Sequence, residues 1–305
     1  ENPEFAAAVE AAGLRFVGPT PESLALYGDK LAARKLAVEL GVPVLPGTPD
    51  AVDAAEAAAF LAGLPAGASM VLKAVAGGGG RGMRVVHEAS EAASAVDAAR
   101  REAEAAFGVA DIYAERFIRA ARHVEVQVLG DGRGGVATLG ERDCTLQRRH
   151  QKLIEVAPAP FLSDDLRRRL AGYAATMAEA GAYRSLGTFE FLLDTATDEI
   201  FFIEANPRIQ VEHTVTEAIW DVDLVAQQLR IAEGATLADL DLPDRPRGTA
   251  IQARVNMERI EADGTIRPAG GTLSAYDPPA GPGIRVDGFG YAGYRTSSAY
   301  DSLLA

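Results

Sequence analysis

Phe201-Phe-Ile-Glu204-Ala-Asn206-Pro-Arg208-Ile-Gln210-Val-Glu212-His213 opens as an apolar strand and then sets a polar side chain at every second position. Period-two alternation sends Glu204, Asn206, Arg208, Gln210 and Glu212 to one face if the backbone stays extended. A strand half buried against water has no need of two acids, an amide and an arginine in this order. A site that holds a metal, an anion and a base in a row does. Upstream, the strand-like Gly187 to Leu193 carries Thr188, Glu190 and Leu192 at one parity. If even residues pair with even ones across a hairpin, Glu190, Glu204 and Asn206 converge. Two carboxylates so close repel one another. A divalent cation such as Mg²⁺ or Mn²⁺ removes that cost, so these three are the expected metal ligands.

The 305 residues are enough for about two domains, and 48% hydrophobic with 24% charged residues is ordinary for a soluble globular chain. No apolar run approaches the ~20 residues of a membrane helix, and nothing resembles a secretory signal. The single cysteine, Cys144, excludes an internal disulfide, suits a reducing cytoplasm and is expected as a small core residue. The net charge of −13 opposes general affinity for nucleic acid. Arg142, Arg148, Arg149, His150 and Lys152 nevertheless crowd one segment and point to a local anion site. The chain starts inside an expected helix (Pro3 to Ala12) and stops at Ser302-Leu-Leu-Ala305 as another element begins, which reads as an excerpt of a longer protein.

Leu14 to Val17 reads as a strand ending at Gly18-Pro19. Thr20-Pro21 then opens a helix whose periodicity continues through Lys30 to Leu40, with Gly41 as the stop. Val42 to Pro46 is an extended connector. A compact α/β subdomain follows, with helix Asp53 to Leu61, strands Met70 to Ala74 and Met83 to Val86, helix Ser90 to Ala106 and strand Ile112 to Phe117. The remainder is a larger α+β domain. Its expected strands are His123 to Leu129, Val136 to Glu141, Gly187 to Leu193 and Glu199 to Glu204. Its helices are Asp164 to Gly181 and Asp223 to Glu233, and it becomes strand-rich after Thr249.

Gly77-Gly-Gly-Gly80-Arg81-Gly82 formally satisfies the dinucleotide-binding pattern, but Met83-Arg-Val-Val86 after it is a β pattern and not a helix. The glycines therefore cap a hairpin whose backbone N–H groups can fold over phosphates. Lys73 ends an apolar strand, where a lysine is costly unless an anion pairs with it. Lys30 reads as an ordinary helix-surface lysine. His123, Glu125 and Gln127 share one face of an alternating strand, which suits a pocket wall or a solvated sheet face equally.

In this order the pieces resemble the ATP-grasp superfamily, and specifically biotin carboxylase. The resemblance rests on Lys73 to Met83, Glu141-Arg-Asp-Cys-Thr-Leu-Gln-Arg-Arg-His-Gln-Lys152, Phe189-Glu190 through Glu212-His213, and Gly283-Ile-Arg285-Val-Asp287 with Tyr291-Ala-Gly-Tyr294. It implies an α+β ATP-grasp fold: residues 1–45 as the remnant of an N-terminal α/β domain, 46–118 as a small α/β lid and 119–305 as an incomplete larger domain. It implies that Lys30, Lys73 and Gly77, Gly78, Gly79 and Gly80 hold ATP phosphates. Glu115, Arg116, Phe117 and Ile118 would contact adenine and His123 the ribose, with Gln147, His150 and Leu192 nearby. Lys152, Arg208, Gln210 and Val211 would cradle bicarbonate, Glu212 would be the base, and Arg285 would support biotin. Biotin is implied as a substrate on a carrier domain, since no Met-Lys-Met biotinylation motif occurs here. A carboxyltransferase component, a homodimer of the full-length protein and a cytoplasmic acetyl-CoA or related carboxylase complete the expectation. The enzymatic rival is a carbamoyl phosphate synthetase-like ligase, and the non-enzymatic one a regulatory nucleotide-binding domain.

Overall fold

The computed structural model describes residues 1–76, 83–148, 151–263, 265–297 and 302–305. The expected glycine hairpin, with Gly77 to Gly80, and His150 lie outside the described residues. Three helices lead: α1 (Pro3–Ala11), α2 (Pro21–Gly28) and α3 (Lys30–Glu39). The expected continuous helix is broken between the last two. Asp29 adopts an extended backbone and its carboxylate accepts from Leu31 N at 2.8 Å and Ala32 N at 3.0 Å. Such side-chain capping competes with helix continuation and restarts the helix one residue later. The strand expected over Leu14 to Val17 does not form. A lone strand has no ladder to complete, and here Leu14 and Val17 are exposed.

Next come α4 (Ala54–Gly63), β1 (Ser69–Ala74), β2 (Arg84–Val86), α5 (Ala92–Phe107) and β3 (Ile112–Phe117). Asp53 and Glu56 form a reciprocal capping box at the start of α4. The three strands make an antiparallel sheet in the order β2-β1-β3. Its even positions, Met70, Leu72, Ala74, Ile112 and Ala114, are buried with Val96, Ala99 and Ala103 of α5 and Ala57 and Leu61 of α4. Its odd positions, among them Lys73 and Glu115, face the other way.

The main sheet runs β8-β7-β4-β5-β6-β9. It comprises β4 (Ala121–Asp131), β5 (Val136–Arg148), β6 (Gln151–Ala157), β7 (Arg184–Asp194), β8 (Ile200–Asn206) and β9 (Ala250–Ala253). One face packs on α2, α3 and α6 (Asp164–Ala180), and buries Val124, Val126 and Val128 against Phe189, Phe191 and Phe202. Tyr27 and Tyr183 stack edge-on into this core at 5.4 and 6.0 Å from Phe189. Gly187 is required there, because a Cβ on it would lie 2.2 Å from the Tyr183 hydroxyl. The opposite face carries α7 (His213–Trp220) and α8 (Leu224–Glu233) over Leu129 and Leu186. Beside that apolar patch the same face turns polar, through Glu125, Gln127, Thr188 and Glu190.

Two compact units emerge, Glu1–Gln252 and Ala253–Ala305, so the expected 119–305 domain is divided at Gln252. The second unit contains two short antiparallel ladders, β10 (Glu258–Ile260) with β11 (Ile266–Pro268) and β12 (Gly271–Thr272) with β13 (Arg295–Thr296). Among the described residues no helix is long and apolar enough to cross a membrane.

Candidate active site

The hairpin pairs as its parity requires: Thr188 lies opposite Asn206 and Glu190 opposite Glu204. A bulge makes this possible. Glu190 pairs with Glu204 but Phe191 pairs with Phe202, so one extra residue sits on β8. The extra residue reverses the alternation, which lets Phe202 face the core and Glu204 face the site.

The backbone does not stay extended through Glu212, the condition on which a common face for all five polar residues rested. β8 stops at Asn206, and Pro207, which has no N–H to give a ladder, begins a turn into α7. Arg208 is thereby turned toward the edge of the cluster: its guanidinium meets Glu1 at 3.1 Å and donates to Asn206 Oδ1 at 3.5 Å. Val211 is exposed as well. Gln210 and Glu212 return to the site through the turn, both buried.

Lys152 on β6 is the hub. Its Nζ lies 2.5 Å from Glu125, 2.9 Å from Glu190 and 2.7 Å from Glu212. Glu190 Oε1 also accepts from Asn206 at 2.9 Å and Gln210 at 3.1 Å, while its Oε2 meets His123 Nε2 at 2.7 Å. Gln147 in turn contacts His123 Nδ1 at 2.8 Å. Burial opposes the charge on Lys152, but Glu125, Glu190 and Glu212 outweigh it and hold the ammonium well above its usual range. Burial likewise pushes Glu190 upward, and Lys152 with His123 bring it well below the ordinary carboxylate range. His123 is raised, because Glu190 beside it overcomes the burial that disfavours imidazolium. Cys144 is buried at the edge of this cluster, and burial first, then Glu125, keeps its thiol neutral. It is a core residue, as its chemistry suggested.

Two residues that carried no individual role in the sequence reading complete the cluster. Glu125 bridges Lys152 and Arg142, and Arg142 lies wholly buried beneath the site. Arg142 reads in sequence as one more member of a basic run. Its only distinguishing signal is that β5 places it directly opposite Glu125 on β4.

A second group of charges lies on the small sheet and α3. Lys73 meets Glu115 at 2.6 Å, which supplies the anion its buried strand position demands. Arg34 reaches the other oxygen of Glu115 at 2.9 Å. Lys30, four residues before Arg34, contacts Glu204 at 3.1 Å and is half-buried, so it is no ordinary surface lysine. Arg116, Phe117 and Ile118 line a cleft of about 280 Å³ with Gly67, Ser69 and Asp194. Leu192 pairs across the ladder with His123, an apolar neighbour on the same face. Arg285 belongs to the second unit, where it pairs with Asp287 at 2.8 Å.

Glu190 and Glu204 with the Asn206 amide between them suit a hard divalent cation. The Asn206 NH₂ faces both carboxylates. Turning that amide by half a rotation presents its oxygen in the same place, and the donor set becomes all oxygen.

A model of the carbamoyl-phosphate synthase L chain ATP-binding domain matches residues 29–240, and one of the biotin carboxylase C-terminal domain matches residues 252–305. The chain is 45% identical over 304 residues to the biotin carboxylase of Nostoc sp., covering all of this chain and 67% of that protein. It is 47% identical over 311 residues to the pyruvate carboxylase of Aspergillus niger, but spans only 26% of that protein's length. Among solved structures it superposes on the biotin carboxylase–beta-gamma-ATP complex from Campylobacter jejuni with a TM-score of 0.91 at 38% identity, covering 99% of this chain and 67% of the other. For the biotin carboxylase domain dimer of Hydrogenobacter thermophilus 2-oxoglutarate carboxylase, in complex with MgADP, ADP and bicarbonate, the TM-score is 0.92 at 39% identity, with 99% and 66% coverage. The fold is therefore that of the ATP-grasp biotin carboxylases.

Proposed function

The chain belongs to the biotin carboxylase family, and from that membership we propose that, within a longer protein, it carboxylates biotin with bicarbonate at the expense of ATP. The observation that carries this reading is the Lys152 cluster. A small anion needs a fixed buried cation, a donor amide and a neighbouring base: Lys152 lies 2.7 Å from Glu212, and Gln210 donates to the same Glu190 oxygen that Lys152 contacts.

In this reading bicarbonate lies against Lys152, Gln210 and the Val211 backbone, with Arg208 turning from Glu1 to join them. Glu212 takes the bicarbonate proton, and the freed oxygen attacks the γ-phosphoryl group of ATP in line, releasing ADP. Lys30, Lys73 and the Gly77 to Gly80 run hold the phosphates. Glu115 to Ile118 hold adenine, and His123, Gln147, His150 and Leu192 border the ribose. Glu190, Glu204 and Asn206 would hold Mg²⁺ or Mn²⁺, which when bound supplies positive charge against the phosphate oxygens. The product, carboxyphosphate, is labile in water and must be kept from it. It breaks to CO₂ and phosphate, phosphate takes the N1 proton of biotin, Arg285 stabilises the resulting ureido oxyanion, and N1 then attacks CO₂ to give N1-carboxybiotin. Biotin arrives on a carrier domain and leaves for a carboxyltransferase, which selects the final acceptor, acetyl-CoA in a fatty acid pathway being one case. A cytoplasmic homodimer of the full-length protein completes the proposal.

The test is ADP release by the full-length parent at varied bicarbonate and free biotin. Release should rise with both. Cleavage that needs bicarbonate and an amide or ammonia donor but ignores biotin would replace this reading with the carbamoyl phosphate one, and cleavage indifferent to bicarbonate would exclude both. In the same assay Glu204→Gln should raise the Mg²⁺ concentration needed for half-maximal turnover by roughly tenfold or more, the scale of one lost charged oxygen contact. An unchanged Mg²⁺ requirement would remove Glu204 from the metal set.

A further inference from the structure

The Arg142 side chain is fully buried, and every contact it makes is a donation. Nε donates to Glu125 Oε1 at 2.5 Å. One terminal nitrogen donates to Gln127 Oε1 at 2.8 Å and Thr216 Oγ1 at 2.9 Å. The other donates to Thr188 Oγ1 at 3.1 Å and Gln210 Oε1 at 3.4 Å. A guanidinium has donors and no acceptor, so both amides that meet it must turn their oxygens inward.

For Gln127 the consequence is structural, since its NH₂ then faces Gly187 O at 3.0 Å within the sheet. For Gln210 the consequence reaches the site. Its NH₂ points to Glu190 Oε1 at 3.1 Å, an atom that Lys152 also touches. The reverse orientation would set the amide oxygen against the Glu190 carboxylate and the NH₂ against the guanidinium, two repulsive contacts in a buried place. An amide has nearly the same shape either way round, so only its partners choose. The choice matters because Gln210 sits in an irregular turn, with no ladder to hold it.

We propose that Arg142 is the positioning residue that locks the Gln210 amide with its NH₂ toward the anion bound beside Lys152 and Glu212, and so sets the affinity for bicarbonate. This rests on the biotin carboxylase reading of the cluster. Arg142 itself does not touch the anion. It acts from beneath, through Gln210 and through the Glu125 carboxylate that shares Lys152.

The experiment uses Arg142→Lys in the full-length parent. Lysine keeps the charge but lacks the planar fork that spans several acceptors. The KM for bicarbonate should rise roughly tenfold, about the value of one hydrogen bond to a charged group, while the KM for ATP stays within about twofold. In a Gln210→Leu background the same substitution should change the bicarbonate KM by less than about twofold, because residues acting through one another are not additive. Additive effects, or equal rises in both KM values, would overturn the proposal and leave Arg142 a fold element only. Should Arg142→Lys not accumulate folded, Thr216→Val removes one acceptor of Arg142 without touching any carboxylate of the site. It should give a smaller bicarbonate-specific rise that also vanishes in the Gln210→Leu background, and a rise that persists there counts against the proposal. If the unsubstituted parent cleaves ATP without regard to bicarbonate, the functional reading itself fails, and this inference with it. That outcome is recognised before any variant is made.

Discussion

Glu212→Gln is expected to lower bicarbonate-dependent ATP cleavage by ~10²–10⁴-fold, the usual worth of one general base. Glutamine is nearly isosteric and can still accept from Lys152, which lies 2.7 Å from the Glu212 carboxylate. What it cannot do is take a proton. Nucleotide affinity should be unchanged, because the lysines proposed to hold the phosphates, Lys30 and Lys73, pair with Glu204 and Glu115 and not with Glu212. Direct binding of a labelled nucleotide, set beside steady-state turnover, separates the two effects. Near-normal turnover would shift the base to Glu125, whose Oε2 lies 2.5 Å from the same ammonium. A weakened nucleotide affinity would instead mean that Glu212 helps to shape the phosphate site.

The pairing of Glu190 with Glu204 was legible because parity is a local property shared by Glu204 and Asn206, but the bulge that turns Phe202, of the same parity, into the core was not. The small sheet was legible for the same reason, its even residues all apolar from Met70 to Ala74. The path beyond Asn206 was not. Polar residues kept alternating through Glu212, but alternation speaks only for an extended backbone, and Pro207 ended that extension. The pattern thus placed Arg208 with Gln210 and Glu212, whereas the turn directs it to Glu1. Asp29 was hidden in another way. Helical periodicity runs through it, and only its capping bonds to Leu31 and Ala32 show the break. Arg142 was the least legible of all. Its role depends on partners from β4, β7, the turn after β8 and α7, and a window of sequence cannot bring those together.

Lys152→Met is expected to destabilise the folded protein by about 3–5 kcal/mol, the cost of removing one partner from a buried ion pair. Methionine fills most of the same volume, so the loss is electrostatic and not a cavity. Glu125, Glu190 and Glu212 all rest on the ammonium, and without it three buried carboxylates lose their shared cation, while Arg142 stays beside Glu125 and His123 beside Glu190. The sign of the double variant follows. Adding Glu212→Gln to Lys152→Met removes one of the three mutually repelling charges, so the pair should be more stable than Lys152→Met alone. In the unsubstituted background Glu212→Gln instead breaks a contact to Lys152 and should be neutral or mildly destabilising. The same substitution therefore changes sign with the state of residue 152, a coupling that a double-mutant cycle measures directly. Urea unfolding midpoints of the four proteins give the comparison. If Glu212→Gln destabilises both backgrounds equally, its carboxylate does not sense Lys152, and the cluster is held by packing and not by charge.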